Sequence, residues 1–142
     1  MLVHASCVAI EGAGVLLRGP SGSGKSDLAL RLVDSGARLV ADDQVELAVD
    51  GGRLIACAPP PVAGLLEVRG IGIVHCPAVA AAPVALVVDL VQARAVERVP
   101  EPEFDHLCGI AVRRIALEPF QASAAARVRL AVGEAARPER PA

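Results

Sequence analysis

Short blocks of apolar residues, several of them alternating with polar ones, recur along most of the chain and are separated by glycine, proline and aspartate. Blocks of this length are typical of buried strands, because an amphipathic helix needs a longer pattern of period 3.6. Where Asp50-Gly51-Gly52 separates two alternating blocks, the pattern predicts a hairpin. The predicted strands are Val3–Ile10, Val15–Leu17, Arg38–Ala41, Val45–Val49, Arg53–Cys57, Glu67–Val74, Val84–Val91, Val112–Leu117 and Ala126–Val132.

One segment has clear helical periodicity, from Lys25 to about Asp34. Gly36 follows it in the position where a glycine commonly ends a helix. A shorter helical turn is predicted at Val62–Leu66, after a run of prolines. Many strands around one main helix predict an α/β fold with a mixed β-sheet. The apolar residues that share one helix face are Leu28, Ala29, Leu32 and Val33.

A length of 142 residues corresponds to one domain, which we assign to residues 1–132, followed by a disordered tail at residues 133–142. Hydrophobic residues make up 54% of the chain, which excludes an intrinsically disordered protein. The longest apolar run, Ala78–Val88, is interrupted by Pro83 and is too short to span a membrane. The mean hydropathy of +0.51 is high for a monomer of this size and favours a homo-oligomer.

Charge and aromatic content argue against nucleic acid as a partner. The formal net charge is −2, so the chain lacks the basic surface that binds phosphate backbones. Two phenylalanines, without tryptophan or tyrosine, leave little on which bases could stack along a strand. The four cysteines form no CxxC pair, and the N-terminus has no signal-peptide pattern. We therefore expect a cytoplasmic protein with reduced thiols.

A glycine-rich segment carries the clearest chemical signal, because GPSGSGKS fits the pattern G-x-x-x-x-G-K-[ST] at every defined position. Its glycines allow backbone N–H groups to turn around phosphate oxygens, and the following helix adds its positive dipole end. In such a phosphate-binding loop (P-loop), Lys25 reaches the β and γ phosphates of ATP and the Ser26 hydroxyl binds Mg²⁺. The predicted ATP-binding residues are Gly19, Pro20, Ser21, Gly22, Ser23, Gly24, Lys25 and Ser26.

Acidic residues follow the strand after this helix. A carboxylate at Asp42 or Asp43 can hold Mg²⁺ or orient an attacking oxygen beside the phosphates. Neighbouring residues of an extended segment point in opposite directions, so we expect at most one of the two to face the γ-phosphate. Glu67, which precedes a glycine-containing strand, is a second candidate metal ligand.

With these motifs in place, the chain resembles the bacterial HPr kinase/phosphorylase family. The resemblance covers about residues 3–76 and implies the catalytic domain alone, in the short form associated with alphaproteobacteria. It also implies the P-loop kinase fold that the family shares with phosphoenolpyruvate carboxykinases. The blocks that carry it are His4-Ala5-Ser6, GPSGSGKS at 19–26, RLVADDQVEL at 38–47 and LLEVRGIGIV at 65–74, the last being the family's own signature.

The resemblance implies transfer of the γ-phosphoryl group of ATP to a serine of HPr, the phosphocarrier protein of the phosphotransferase system. It implies that Asp43 is the general base and that His4 is the active-site histidine. It also implies that Asp42 helps to order Mg²⁺. Arg69 and Gly70 fall in the signature strand. The catalytic positions are His4, Lys25, Asp43 and Asp42. The metal-binding positions are Ser26, Glu67 and Asp42.

Two departures from the family pattern concern the reverse reaction, in which phosphate attacks phosphoserine. The family's Asp-Arg-Leu-Gly segment corresponds here to a stretch with His106 in place of the arginine, and the Pro-Gly-Arg-Asn element is missing. A histidine that is mostly neutral at pH 7 does not replace a bidentate, permanently charged guanidinium. We therefore expect little phosphorylase activity.

Two other functions fit the phosphate loop. One is a phosphotransferase with a small-molecule acceptor, and the other is a non-catalytic regulatory module that binds ATP. The LLEVRGIGIV block argues against the first. The intact Lys25, Ser26, Asp43 and Glu67 argue against the second, because a binding module has no need of a general base.

Overall fold

Eleven strands and two α-helices make up residues 1–135, the part of the chain that this computed structural model describes. None of these helices is long and apolar enough to cross a membrane. The strands are β1 (Leu2–Val3), β2 (Ala5–Ile10), β3 (Ala13–Arg18), β4 (Arg38–Ala41), β5 (Val45–Asp50), β6 (Arg53–Cys57), β7 (Leu65–Val68), β8 (Gly72–His75), β9 (Ala81–Leu90), β10 (Glu103–Leu107) and β11 (Ile110–Leu117). The helices are α1 (Lys25–Asp34) and α2 (Ala124–Ala135).

A mixed sheet organises the fold, with strand order β1-β5-β6-β9-β3-β2-β4 and with β11 and β10 added beside β9. The long strand β9 joins two parts of this sheet. Its start pairs antiparallel with β6, and its second half lies between β3 and β11 and runs parallel to both. Because β3, β9 and β11 are parallel, the loops that follow them meet at one edge of the sheet, where ligand sites form in open α/β sheets.

Alternation along the central strands divides the apolar side chains between two cores. On one face, Val8, Leu17 and Val88 contact the helices, and on the other face Cys7 and Leu16 contact the rest of the sheet. Because these strands are buried on both faces, their sequences are continuous apolar blocks. Burial raises the pKa of the Cys7 thiol to about 12, so Cys7 is a protonated core side chain at neutral pH.

Helix α1 begins and ends where the sequence predicts. Gly24, with φ of 100°, forms its N-cap. At the other end Gly36 has φ of 111°, and the Ala37 N–H donates to the Leu32 carbonyl at 3.0 Å. This is the Schellman arrangement, which a left-handed glycine makes possible. The buried face, which includes Leu28, Ala29 and Leu32, contacts the sheet and holds the helix N-terminus beside the end of β3.

The predicted strand at Ala126–Val132 is wrong, because the segment lies inside α2. Ala124, Val128 and Val132 are buried at a spacing of four residues, and alanines between them favour a helix. The sheet therefore carries two helices rather than one main helix. Gly133 also belongs to α2, so the predicted tail starts too early, and its residues 136–142 lie outside the described residues.

Two further predictions in the signature region need correction. The helical turn predicted at Val62–Leu66 is a 3₁₀ turn at Pro60–Val62, and β7 begins at Leu65. The single strand predicted at Glu67–Val74 is the hairpin β7–β8, with Leu66 opposite Val74. Gly70 has φ of 89°, which allows the chain to reverse within this segment.

Candidate active site

A cleft of about 710 Å³ opens at the C-terminal end of β3, above the N-terminus of α1. The phosphate-loop segment forms its floor, and the loop after β4 and strand β7 form a wall. The cleft therefore contains five of the eight predicted loop residues and, of the acidic positions that the sequence singles out, Asp43 and Glu67. Its lining residues are Ser21, Gly22, Gly24, Lys25, Ser26, Asp27, Leu30, Asp43, Glu67, Val68, Arg69 and Phe120.

The loop geometry depends on two glycines in left-handed conformations. Gly22 and Gly24 have φ of 82° and 100°, values that a side chain would strain. Lys25 is buried, and its Nζ donates to the carbonyls of Gly19 at 2.7 Å and Pro20 at 3.1 Å. The lysine ammonium and the free N–H groups of the first turn of α1 thus face the same small region, which suits an anion.

Asp42 connects the loop to the rest of the site. This buried carboxylate accepts hydrogen bonds through Oδ1 from the hydroxyls of Ser26 at 2.7 Å and Ser6 at 2.8 Å. Its Oδ2 accepts from the backbone N–H of Glu67 at 3.3 Å. Four segments of the chain therefore meet at one carboxylate, and the predicted metal ligands Ser26 and Asp42 are in direct contact.

These residues fit a magnesium ion bound together with a nucleotide. Mg²⁺ at such sites binds one or two protein oxygens and completes its shell with phosphate oxygens and water. The Ser26 hydroxyl and the Asp42 carboxylate supply such oxygens, and the exposed Glu67 side chain lines the same cleft. Within residues 1–135, no three His, Cys, Asp or Glu side chains converge closely enough to hold a metal by themselves.

Asp43 has a different environment from Asp42. Its side chain is 66% exposed, and its Oδ1 lies 2.7 Å from Nε2 of His4, at the bend between β1 and β2. Its φ of 68° is left-handed, and the Gln44 N–H donates to the Asp42 carbonyl at 2.8 Å to close a three-residue turn. The two aspartates are therefore not in the extended segment that the sequence suggested. Asp42 is buried against Ser26 while Asp43 lines the cleft, and that at most one of them faces the γ-phosphate stays a prediction.

The remaining predicted residues lie at different distances from this centre. Arg69 is exposed and lines the cleft, whereas Gly70 lies in the turn between β7 and β8. His106 is exposed on β10 and does not line the cleft.

An ionic cluster under the loop was missed by sequence reasoning. Arg18, the last residue of β3, bonds Asp89 at 2.8 and 2.9 Å and Asp105 at 2.7 Å. Arg114 bonds the same Asp89 at 2.7 Å and Glu103 at 2.8 Å. Burial opposes ionisation of Asp89, but the hydrogen bonds from both arginines outweigh it and lower its pKa. The signal for this cluster was Asp89 itself, the one charge in an otherwise apolar strand.

Replacing Asp89 by asparagine should cost about 2 kcal/mol at neutral pH, because two half-buried guanidinium groups lose their common carboxylate. The pKa of Asp89 is lowered in the folded state, so its stabilisation is present above the unfolded pKa of about 3.9 and is lost as pH falls through the folded value. The difference in the free energy of unfolding between the wild type and Asp89→Asn, measured with urea, should therefore become smaller below about pH 4. Asp50→Asn, at an exposed hairpin end, is the control and should show no such difference.

Comparison with known proteins assigns most of the chain to one family. The model of the HPr serine kinase C-terminal domain family matches residues 1–121. HPr kinase/phosphorylase of Clostridium tetani is 47% identical over 75 residues, which are 53% of this chain and 25% of that protein. HPr kinase/phosphorylase 1 of Oceanobacillus iheyensis is 53% identical over 74 residues, 51% of this chain and 24% of that protein. The chain thus spans about a quarter of the length of the curated relatives it matches.

A solved structure extends the likeness to nearly the whole chain. The HPr(Ser) kinase/phosphatase from Coxiella burnetii superposes with a TM-score of 0.79 at 28% sequence identity, covering 94% of this chain and 99% of that one. The fold is thus that of a mixed α/β domain, and in this chain a glycine-rich loop joins β3 to the N-terminus of α1, as in phosphate-binding α/β proteins. More particularly, the chain belongs to the HPr serine kinase C-terminal domain family, which confirms the resemblance seen in its motifs.

Proposed function

We propose that this chain is an ATP-dependent kinase domain that phosphorylates a serine of an HPr-type phosphocarrier protein. The observation that carries the proposal is the junction at Asp42. This carboxylate bonds the hydroxyl of Ser26 in the phosphate loop, while the adjacent Asp43 faces the open cleft beside His4. Asp42, which bonds the phosphate loop, and Asp43, the candidate base, are therefore neighbours in the chain.

In this proposal the loop and the N-terminus of α1 hold the phosphates, and Lys25 bonds the oxygens between the β and γ groups. Ser26 and Asp42 would hold Mg²⁺, with Glu67 beside them, and the ion supplies charge neutralisation on the phosphate oxygens when it is bound. The role of these residues is to place the γ-phosphorus on the side of the cleft that Asp43 borders. Fixed positive charge at that position stabilises the charge that develops during transfer.

Asp43 then accepts the proton of the acceptor hydroxyl as the serine oxygen forms its bond to phosphorus and the bond to the leaving ADP oxygen breaks. His4 occupies Oδ1 of Asp43, so Oδ2 is left to face the hydroxyl. The exposure of both side chains allows an acceptor carried by another protein to approach them. The donor is ATP and the proton ends on Asp43, from which solvent removes it.

The direct test is phosphorylation of purified HPr with radiolabelled ATP and Mg²⁺. We expect label on wild-type HPr and none on an HPr variant in which the acceptor serine is alanine. Label that appears only on a small molecule would instead favour the phosphotransferase alternative. Binding of ATP without any transfer would favour the regulatory module.

We further propose that the reaction strongly favours the forward direction. Phosphorolysis brings inorganic phosphate against a phosphoserine, and the repulsion must be offset by fixed positive charge. The cations that line the cleft in the described part of the chain are Lys25 and Arg69, and His106 lies outside it. In the forward direction the transferred phosphate arrives already bound to Lys25.

Incubating phosphoserine-HPr with the enzyme, Mg²⁺ and several-millimolar phosphate should therefore release pyrophosphate much more slowly than the forward reaction consumes ATP. The control is the same enzyme preparation assayed for forward transfer on the same day. Pyrophosphate release at a rate comparable to forward transfer would contradict this proposal. It would indicate that another arginine supplies the positive charge that the family's Asp-Arg-Leu-Gly arginine provides.

A further inference from the structure

A second cavity of about 430 Å³ lies beside the phosphate loop, and carbon atoms dominate its walls. We propose that it holds the base of the bound nucleotide, with Phe120 as the stacking surface. This inference rests on the proposed function, since it takes the loop at 19–26 as the triphosphate site. The cavity is lined by Pro20, Ser23, Leu90, Val91, Gln92, Ala93, Glu118, Pro119 and Phe120.

The sheet topology places this cavity on the side where a nucleoside must lie. Strands β9 and β11 lie on one side of β3 and run parallel to it. The loops after β9 and β11 supply most of the cavity wall. Asp42 and Asp43 follow β4, which lies on the other side of β3 beyond β2. If the γ-phosphate faces Asp43, the α-phosphate and the nucleoside extend away from it, toward the loops after β9 and β11.

Phe120 links the two cavities, because it lines both of them. Its ring rests on the phosphate loop: a Cβ added at Gly24 would lie 3.1 Å from Phe120 Cε1. The side chain nevertheless remains 67% exposed. An aromatic ring fixed against the loop with a free face is suited to stacking on a flat base, whereas a ring with only a core role would be covered.

The segment that carries Phe120 is held in place by α1. The Arg31 guanidinium donates to the carbonyls of Pro119 and Gln121, the residues before and after Phe120 in the chain. The Glu118 carboxylate accepts the N–H of Phe120 at 3.0 Å. Because α1 also begins with Lys25 and Ser26, one helix fixes the phosphate site and the proposed base site relative to each other. Such preorganisation lowers the cost of ordering a ligand across both.

The test compares Mg-ATP with Mg-tripolyphosphate, which has the phosphates and lacks the nucleoside. Phe120→Ala should lower the affinity for Mg-ATP, measured by titration calorimetry, by about 5- to 150-fold. This is the range for loss of one base–aromatic stack. The affinity for Mg-tripolyphosphate should stay unchanged. The matched control is Phe104→Ala, which removes the other phenylalanine, 59% exposed on β10, and should alter neither affinity.

A second variant gives a spectroscopic answer that does not depend on loss of binding. The chain has no tryptophan, so Phe120→Trp creates a single fluorescent reporter at the cavity. We expect Mg-ATP to change its emission and Mg-tripolyphosphate to leave it unchanged. If wild type binds both ligands but Phe120→Ala weakens them equally or not at all, the base lies elsewhere. If wild type binds neither ligand, the proposed function itself fails.

Discussion

Replacing Asp43 by asparagine should lower the rate of phosphoryl transfer to HPr by a factor of about 10² or more, while Mg-ATP still binds. Asparagine keeps the volume of the side chain and the contact with His4 but cannot take up the proton of the serine hydroxyl. Asp43 is mostly exposed and contacts no loop residue in the hydrogen bonds of the site, so its loss should not disturb the nucleotide. Single-turnover transfer and calorimetric affinity, measured on the same preparation, separate the two effects.

The matched control is Asp42→Asn, one residue earlier. Asp42 is buried and accepts hydrogen bonds from Ser6 and Ser26, so this variant should weaken Mg-ATP binding and lower the melting temperature as well as the rate. The two aspartates thus predict different combinations of affinity, stability and turnover. A full loss of turnover in Asp42→Asn, with none in Asp43→Asn, would assign the base to Asp42 instead.

The parts of the fold that the sequence predicted well are those fixed by local pattern. Helix α1 is bounded by a glycine at each end, and its apolar residues repeat at helical spacing, so no distant contact was needed to locate it. The hairpin β5–β6 was similarly determined by alternation around Asp50-Gly51-Gly52. In both cases the turn residues and the periodicity agree with the final structure.

The parts predicted poorly depend on contacts between distant segments. The segment at Ala126–Val132 has apolar residues compatible with either a strand or a helix, and its contacts with the sheet and α1 decide for the helix. Phe120 contacts Gly24, a residue 96 positions away, so this contact cannot be predicted from the local sequence.

The aspartate pair shows the same limit within the site. The sequence indicated that Asp42 and Asp43 end a strand beside the phosphate loop, and the structure places both there. The left-handed turn at Asp43 could not be read from the residue type, since aspartate adopts that conformation in only a minority of positions. That turn gives the pair two separate environments, one buried and one open.

Lys25 is the only lysine in the chain, although arginine is frequent, and its replacement by methionine should have the broadest effect on the site. Methionine keeps a long unbranched side chain in the buried position and removes the charge. We expect weaker binding of Mg-ATP and of Mg-tripolyphosphate, and a larger fall in transfer, by about 10² to 10³, because the cation opposes charge that grows in the transition state. Calorimetry and single-turnover kinetics measure the two quantities.

The controls must show that the effect comes from loss of the Lys25 ammonium group, and not from a change of surface charge or from misfolding. Arg53→Ala removes an exposed cation at the β5–β6 hairpin and should leave binding and transfer unchanged. Lys25→Met also deprives the Gly19 and Pro20 carbonyls of their donor, so its melting temperature must be measured alongside. In the wild type, selective ¹³C labelling of the single lysine should show its Cε resonance shift with either phosphate ligand. A resonance that does not move, together with unchanged affinity and turnover in a folded Lys25→Met, would mean that the loop is a structural turn and that phosphates bind elsewhere.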